Sequence, residues 1–325
     1  MSSHVLRIAT RDSSLALWQT NAVMASLTQL GYPCKLIPLK TLGDIDLVRP
    51  IYAMGVQGVF TKELDSALLN HQADLAVHSM KDVPTILPIE LVIAAVLKRG
   101  SNEDILVHRE GFDPAKKENA VIATSSIRRK SQWLSRYPTH TIANVRGNVG
   151  TRLKKFEEEG WDGIIFAKAG LERLKLLPQH FTVLDWMLSA PSQGAIAVIC
   201  RAQDESVYKA CREINHEPSE IRVSVERDFL YHLEGGCSVP ISALATIESR
   251  SPLERSGGEV IHFRGLISSL DGKQEIRAES KILVSDWKKI GREAAAEIRR
   301  SEKGKKILDE FRQLNRSGRG AGSEA

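Results

Sequence analysis

The chain has few of the residues that build metal sites, disulfide frameworks or membrane spans. Four of its 325 residues are cysteine, at positions 34, 200, 211 and 237, and no pair has C-x-x-C spacing. We therefore expect reduced thiols and no metal site. No apolar run approaches the roughly eighteen residues of a membrane-spanning helix, and residues 1–10 lack the apolar segment of a secretory signal. These absences predict a cytoplasmic protein without a membrane partner.

The composition is that of a globular protein with more than one domain. Hydrophobic residues make up 42% and charged residues 26%, which is too apolar for a disordered chain. A length of 325 residues exceeds the size at which a single core usually stops growing. The net charge of +5 favours an anionic partner, and the positions of the arginines decide its class.

Short apolar runs alternate with amphipathic segments as far as about Arg201, and this rhythm predicts parallel sheets covered by helices. The predicted strands are residues 5–9, 34–39, 75–78, 91–97, 105–107, 121–123, 141–145 and 163–167. The predicted helices are residues 14–30, 62–70, 127–136, 149–159 and 169–174. Several of these helices begin after a Ser, Thr or Asn cap. No internal repeat is evident in the sequence.

Segments 98–104 and 217–218 contain breakers and predict boundaries between structural units. Beyond them we expect a helix over 219–233, strands over 241–247, 260–267 and 275–284, and one final helix. The predicted fold is α/β, with two doubly wound lobes and a C-terminal α+β domain with a three-stranded antiparallel sheet. The predicted domains are residues 1–98 with 195–214, residues 102–190, and residues 218–316. Residues 317–325 have no large apolar side chain and are expected to be disordered.

Three predicted strand ends carry hydroxyl or amide side chains and arginine just before a helix. They are residues 10–13 (TRDS), 124–129 (TSSIRR) and 146–152 (RGNVGTR). A helix N-terminus attracts anions, and a guanidinium group binds a carboxylate or phosphate through two parallel hydrogen bonds. Because such strand ends converge on one crevice, the three motifs together favour a polyanionic ligand. Each motif taken alone is better explained by a helix cap and a solvated surface arginine, and the recurrence of the three motifs is what favours the ligand.

The nucleotide-binding glycine motifs are absent, so carboxylates are the favoured anions. In residues 76–84 (AVHSMKDVP), Lys81 and Asp82 follow a predicted strand. Asp82 could stabilise a developing positive charge or move a proton, and Lys81 could hold an anion. The adjacent positions of Lys81 and Asp82, taken alone, are better explained by an ordinary exposed ion pair. His78 is better explained as a buried histidine whose hydrogen bonds are satisfied than as a catalytic residue.

Cys237 lies in the segment LEGGCSVP, residues 233–240. Two glycines allow close backbone approach, and a thiolate is a strong nucleophile, so this cysteine could carry a covalent group. A small buried hydrophobic residue is the alternative for Cys237, and it is our expectation for Cys34, Cys200 and Cys211.

Taken in order, the motifs resemble those of the porphobilinogen deaminase (hydroxymethylbilane synthase) family. They are RIATRDSSLALWQ, FTKELDSALL, DLAVHSMKDVP, IATSSIRRKSQ, VRGNVGTRL, AKAGLERL, SQGAIAV and ERDFLYHLEGGCSVPI. The resemblance covers residues 6–241, and downstream it extends only to a generic third domain. It implies two lobes like those of type II periplasmic binding proteins, with a cofactor in the cleft between them.

The resemblance implies a transferase of porphyrin and haem biosynthesis that uses a covalent dipyrromethane cofactor. Porphobilinogen loses ammonia to give an azafulvene, the free α-carbon of the terminal pyrrole attacks it, and after four additions water releases hydroxymethylbilane. Asp82 matches the catalytic carboxylate. The matching cofactor-binding residues are Cys237 (the thioether), Lys81, Asp82, Thr124, Ser126, Arg128, Arg129 and Arg146. The matching substrate-binding residues are Arg11, Ser13, Arg146, Arg152, Arg173 and Gln193.

The chain departs from the family pattern at several positions. Ala53 and Gln57 stand where the family usually has lysine, and Ile199 stands where it usually has glutamate. Ser189 and Ser192 lie in a segment where serines replace a usual proline and glycine. Loss of the two lysines could weaken ligand binding by about 1–3 kcal/mol each. The departures concern catalytic efficiency more than the type of reaction.

Two other functions remain open at the level of the sequence. A non-catalytic binder of small organic anions would have the same two-lobe architecture. A nucleic-acid-binding protein would explain the pI near 9.0 and the basic residues 128–130. The basic residues lie in separate turns without interleaved aromatics, however, which fits a closed pocket better than a groove. We expect a monomer with porphobilinogen as its small-molecule partner and no nucleic acid.

Overall fold

A computed structural model describes residues 4–41, 58–233, 239–249 and 258–320. Its strands are β1 (Leu6–Arg11), β2 (Cys34–Leu39), β3 (Leu75–Ser79), β4 (Leu91–Val96), β5 (Asp104–His108), β6 (Val121–Ala123), β7 (Thr141–Ala143), β8 (Gly163–Ala167), β9 (Phe181–Val183), β10 (Ile196–Arg201), β11 (Ile241–Ser249), β12 (Glu259–Ser268) and β13 (Glu275–Leu283). Its helices are α1 (Ser14–Gln29), α2 (Lys62–Leu69), α3 (Ile127–Arg136), α4 (Val149–Glu158), α5 (Lys168–Leu174), α6 (Glu205–Arg212), α7 (Glu217–His232), α8 (Ile290–Arg300) and α9 (Glu302–Gly320). Within these described ranges, 3₁₀ helices cover Met80–Asp82 and Val284–Lys289.

The strands of the described chain form two five-stranded sheets and one three-stranded sheet. The first lobe has the order β2-β1-β3-β10-β4, and the second has the order β7-β6-β8-β5-β9. The two orders repeat one topology, in which each strand of the first lobe has a counterpart in the second. The sequence did not show this repeat, because the two lobes share a topology without sharing a recognisable residue pattern.

Each five-stranded sheet is mixed, so the prediction of parallel sheets is wrong for one strand in each lobe. Strand β10 is antiparallel to β3 and β4, and β5 is antiparallel to β8 and β9. The chain crosses into the second lobe between β4 and β5, and it returns to the first lobe between β9 and β10. The antiparallel strands β5 and β10 are therefore the first strands after each crossing. Apolar runs indicate a strand but carry no information about its direction. Strands β9 and β10 and helix α6 were not among the predicted elements.

Alternating side chains cover both faces of each lobe's sheet with apolar packing. In β1 and β3, Ile8 and Leu75 belong to the core on one face, while Ala9 and Ala76 belong to the core on the other. The second lobe has the same two-sided arrangement. Ile199 is fully buried in the first lobe, where it extends the apolar core.

The C-terminal unit is a three-stranded antiparallel sheet, β11-β12-β13, that shares one core with α7, α8 and α9. At its centre, the Phe229 and Phe263 rings meet edge to face with centroids 5.2 Å apart. A side chain at Gly265 would collide with the Phe229 ring, since a Cβ there would lie 2.6 Å from it. The predicted fold class, α/β lobes followed by an α+β unit, is therefore confirmed.

The C-terminal end of the chain differs from the expectation. Instead of one final helix, α8 and α9 follow each other, and the Ser301 hydroxyl accepts a hydrogen bond from the Gly304 N–H between them. Helix α9 continues to Gly320, so it includes the first four residues of the segment 317–325 for which we expected no structure. Among the described helices, none combines the length and the apolar character needed to cross a membrane.

The C-terminal sheet packs directly on the second lobe through helix α3. The Ser131 and Ser268 hydroxyl oxygens lie 2.8 Å apart, and Gln132 Nε2 donates to Ser242 Oγ at 3.0 Å. A Cβ at Gly272 would lie 2.2 Å from the Ser131 carbonyl oxygen, so only glycine permits this close approach. The C-terminal unit thereby fixes the position of helix α3.

Candidate active site

The three predicted anion motifs begin helices at the carboxyl ends of parallel strands. Ser13 caps α1, and Ser126 caps α3 by accepting a hydrogen bond from the Arg129 N–H at 3.4 Å. Asn148 caps α4, with its Oδ1 2.9 Å from the Thr151 nitrogen. The predicted caps are confirmed. Each lobe thus directs at least one helix N-terminus, with its partial positive charge, toward the strand-end edge where ligands of α/β folds bind.

The first lobe contributes a carboxylate and two cations to this edge. Lys81 and Asp82 lie on the 3₁₀ helix that follows β3, and Lys81 Nζ is 2.8 Å from Asp82 Oδ1. Their side chains are 39% and 25% exposed, so the ion pair expected from spacing forms and stays accessible. The Arg11 guanidinium lies over the Phe60 ring, 4.3 Å from its centroid.

Arg152 connects the two lobes electrostatically. Burial, together with the positive charges of Arg129 and Arg146, lowers the pKa of Arg152 to about 10, while the negative charge of Asp82 acts in the opposite direction. Arg152 Nε donates to the Gly147 carbonyl at 2.7 Å. Because Coulomb interactions weaken with distance, three cations of the second lobe and one carboxylate of the first share a single region.

Arg128 and Arg129 are buried and are oriented by Asp104, a residue that the motifs did not indicate. Arg128 Nη2 lies 2.7 Å from Asp104 Oδ2, and Arg129 Nη2 lies 2.7 Å from Asp104 Oδ1. Burial opposes ionisation of Asp104, but the two guanidinium groups outweigh it and hold the pKa of the carboxyl below its usual value. Nearby, the Thr124 hydroxyl accepts a hydrogen bond from the Ser126 N–H at 3.2 Å.

Gln193 lies at the crossing between the lobes. Its Nε2 donates to the Asn102 carbonyl at 2.8 Å and to Asp104 Oδ1 at 3.0 Å. Only 1% of the residue is exposed. Gln193 therefore contacts the arginine site through Asp104 and joins the two segments that connect the lobes.

Arg173 lies at the crossing between the lobes. Its Nη2 donates to the Gly194 carbonyl at 2.6 Å, and its guanidinium lies 5.5 Å from the centroid of the Trp18 ring. Burial lowers its pKa. It lines a cavity of about 520 Å³ whose described lining includes neither Arg146 nor Arg152. The structure therefore brings Arg129, Arg146 and Arg152 together with Asp82, and it sets Arg173 at the crossing.

His78 is buried, as expected, but its hydrogen bonding is incomplete. It is 5% exposed, and its Nε2 has no hydrogen-bond partner among the described residues. Burial lowers the pKa of His78 to about 4, against the effect of Asp82. Gln19, like Asp104, is a buried polar residue that the motifs did not single out. Its Nε2 donates to Ser79 Oγ at 2.9 Å.

Cys237 lies outside the described residues, as do Ala53 and Gln57. The residues on either side of the cysteine segment, Leu233 and Val239, are both buried in the C-terminal core. Of the other cysteines, burial raises the pKa of Cys200 to about 11 and that of Cys211 to about 12, and burial also raises the pKa of Cys34. These three are poor nucleophiles at neutral pH. Cys200 and Cys211 are buried as expected, whereas Cys34 is only partly buried.

The chain is similar to known proteins along most of its length. Residues 6–209 match the family model described as porphobilinogen deaminase, dipyrromethane cofactor binding domain, and residues 220–300 match the model of the porphobilinogen deaminase C-terminal domain. A porphobilinogen deaminase of Syntrophomonas wolfei is 40% identical over 304 residues, covering 90% of this chain and 94% of that protein. One of Moorella thermoacetica is 40% identical over 303 residues, covering 90% and 92%.

The chain also has a limited similarity to solved structures that are distant in sequence. The L-cystine solute receptor of Neisseria gonorrhoeae has a TM-score of 0.39 and 12% identity, covering 65% of this chain and 84% of that chain. YhfZ from Shigella flexneri has a TM-score of 0.37 and 13% identity, covering 72% and 99%. The family models and the curated relatives decide the assignment, and on that basis the chain belongs to the porphobilinogen deaminase family.

Proposed function

We propose that this chain deaminates porphobilinogen and condenses four units head to tail on a dipyrromethane attached to Cys237, and then releases hydroxymethylbilane by hydrolysis. The single observation that carries the proposal is the shared electrostatic environment of Asp82, Arg129, Arg146 and Arg152. It supplies one accessible carboxylate from the first lobe and several buried guanidinium groups from the second.

The donor set of this region fits an acidic oligopyrrole. Guanidinium groups match the acetate and propionate side chains in bidentate geometry. Arg128 Nε is buried and has no hydrogen-bond partner in the described part of the chain, so this arginine has a donor left for a ligand. The residues that would hold the dipyrromethane are Lys81, Asp82, Thr124, Ser126, Arg128, Arg129 and Arg146, with Cys237 as the covalent attachment. Arg11, Ser13, Arg152, Arg173 and Gln193 are the proposed substrate residues.

Asp82 is the proposed catalytic residue. Its oxygens can accept hydrogen bonds from pyrrole N–H groups, and its negative charge can stabilise the cation that develops as ammonia leaves the substrate. Lys81, 2.8 Å away, holds the carboxylate in place through an ion pair. When bound, the dipyrromethane supplies the free pyrrole α-carbon at which the new carbon–carbon bond forms. Arg146 and Arg152 orient the carboxylates of the incoming unit.

Intact mass spectrometry of the full chain tests the covalent attachment. The wild-type protein should weigh more than its sequence by one dipyrromethane, and Cys237→Ser should remove the excess mass and the activity. Cys34→Ser is the matched control, since its thiol has a raised pKa, and it should keep the adduct. A wild-type protein that carries no adduct, and gains none on incubation with porphobilinogen or preformed tetrapyrrole, would refute the proposal.

Ammonia release from porphobilinogen tests the catalytic role of Asp82. Asp82→Asn keeps the shape of the side chain and removes its charge, so we expect kcat to fall by about 100-fold or more while the fold is retained. Asp286→Asn, an exposed carboxylate of the C-terminal unit, should leave kcat unchanged. A protein that binds porphobilinogen stoichiometrically but releases no ammonia would instead be a binder of organic anions.

We further propose that the protein acts as a cytoplasmic monomer without nucleic acid, and that its units are residues 1–98 with 195–214, residues 102–190 and residues 218–316. Light scattering after size-exclusion chromatography, cell fractionation and a gel shift at physiological salt test the first statement. Limited proteolysis tests the second, because cleavage should concentrate at the proposed boundaries. Cuts within the strands of one sheet would contradict these boundaries.

A further inference from the structure

Asp104 is the most enclosed charged group next to the arginines of the site. Its side chain has no exposed surface, and it stands at the first position of β5, directly after the segment that leaves the first lobe. Its Oδ1 accepts hydrogen bonds from Arg129 Nε at 3.0 Å and Nη2 at 2.7 Å, and from Gln193 Nε2 at 3.0 Å. Its Oδ2 lies 2.7 Å from Arg128 Nη2.

Main-chain carbonyls complete the fixation of both guanidinium groups. Arg128 Nη1 donates to the Leu188 carbonyl at 2.8 Å, and Arg129 Nη1 donates to the Ile165 carbonyl at 3.0 Å. A guanidinium group has five N–H donors, so each arginine keeps donors that these contacts do not use. The three charged side chains together carry a net charge of +1.

Two roles for Asp104 follow from this geometry, and they predict opposite effects of removing its charge. If the carboxylate competes with ligand anions, its loss should free both arginines and strengthen anion binding. If the carboxylate positions the two arginines, its loss leaves two buried positive charges side by side on α3. The two guanidinium groups then repel each other and change their orientation. The second role is favoured because each guanidinium group is held both by the Asp104 carboxylate and by a main-chain carbonyl.

We propose that Asp104 is a positioning residue that aims the free donors of Arg128 and Arg129 at the carboxylates of the bound oligopyrrole. This inference rests on the proposed function and assigns a residue to the same site. Asp104 acts only through the arginines. Gln193 lies on the segment that returns to the first lobe, and it donates to Asp104 Oδ1, the oxygen that also binds Arg129. Asp104 and Gln193 therefore link the two arginines to both segments that connect the lobes.

The test compares Asp104→Asn with a matched control elsewhere in the molecule. Asp74 is also a buried carboxylate between two arginines, with Arg7 Nη2 at 2.8 Å and Arg201 Nη2 at 3.5 Å. It precedes β3, whereas Asp82 follows β3, so Asp74 lies at the opposite edge of the sheet from the site. Asp74→Asn therefore removes an equivalent ion pair without touching the arginine site.

Each full-length variant is measured for the fraction that carries the covalent adduct, for KM and kcat with porphobilinogen, and for folding by circular dichroism at the assay temperature. We expect Asp104→Asn either to lack the adduct or to carry it with KM raised about 10- to 100-fold, as for the loss of charge-assisted hydrogen bonds. Asp74→Asn should match wild type in adduct and KM. Asp104→Glu, which keeps the charge, should recover part of the loss.

An unchanged or lowered KM in loaded Asp104→Asn would overturn the proposal, and so would an equal loss in Asp74→Asn. If Asp104→Asn does not fold, Asp104→Glu decides, since a displaced carboxylate should still raise KM several-fold and an unchanged KM would refute positioning. The two proposals fail differently. A wild-type protein without adduct or activity contradicts the proposed function, whereas a loaded, active wild type with an indistinguishable Asp104→Asn contradicts only the role of Asp104.

Discussion

Replacing Glu226 with glutamine would test how firmly the C-terminal unit is tied to the segments that connect the lobes. Glu226 lies on α7 and is fully buried, with Arg99 Nη1 2.6 Å from its Oε1. It also accepts hydrogen bonds from the Ser192 N–H at 2.5 Å and from the Ala245 N–H at 2.8 Å. One carboxylate thus joins both crossing segments to strand β11.

The expected cost follows from the burial of the pair. In Glu226→Gln, the Arg99 guanidinium, 2% exposed, loses its counter-ion, and the amide NH₂ faces N–H donors where the carboxylate oxygen accepted. Removing one partner of a buried ion pair costs about 3–5 kcal/mol. The control is Glu157→Gln, since the Arg109–Glu157 pair is 40% and 70% exposed, and its loss should cost less than about 1 kcal/mol.

Urea unfolding at neutral pH, followed by tryptophan fluorescence and far-UV circular dichroism, measures both variants. The double variant Arg99→Met/Glu226→Gln removes the uncompensated charge, so it should be more stable than Glu226→Gln alone. A loss of less than about 1 kcal/mol in Glu226→Gln, or a double variant less stable than the single one, would refute the reasoning.

Two further predictions concern backbone strain and pH. Gly194→Ala should destabilise the fold by more than about 1 kcal/mol in thermal unfolding, because φ of Gly194 is +85° and a Cβ there would lie 2.4 Å from the Ser101 carbonyl oxygen. The control is Gly160→Ala, which should leave the stability unchanged because a Cβ at Gly160 would have no atom within 4 Å. His78 stays neutral in the folded protein down to a pKa of about 4, against 6.5 in the unfolded chain, so the unfolded chain binds more protons and stability falls as pH decreases through this range, by about 3 kcal/mol. His78→Asn should flatten that decrease in unfolding experiments between pH 7 and 4, and an unaltered slope would contradict the assignment.

Local signals in the sequence account for most of the strands and helices and for most of the residues proposed for the site. Ser13, Ser126 and Asn148 are caps because their side-chain oxygens accept hydrogen bonds from the N–H groups three residues later, and such short-range bonds can be predicted from a linear sequence. The same motifs carry the resemblance to the family, which the family models and the curated relatives confirmed. The role of Cys237 stays a prediction, because it lies outside the described residues.

Long-range contacts account for what the motifs could not indicate. Arg129 and Asp104 are 25 residues apart, and Arg99 and Glu226 are 127 apart. Nothing beside Asp104 in the sequence distinguishes it from an exposed carboxylate at the start of a strand. Its burial follows from the antiparallel insertion of β5, which the apolar pattern of that strand does not encode.

The sequence by itself determined most of the segments that become strands and helices, where the capped helices start, and which residue types are available to bind carboxylates, because hydrogen bonds and side-chain periodicity act over a few residues. Only the tertiary structure decided that Arg129, Arg146 and Arg152 share an environment with Asp82 and that Arg173 contacts the crossing between the lobes. It also decided that the buried carboxylates of Asp104 and Glu226 pair with Arg128, Arg129 and Arg99. Those outcomes depend on how the chain passes twice between the lobes, since burial and electrostatic interaction are set by distances in space.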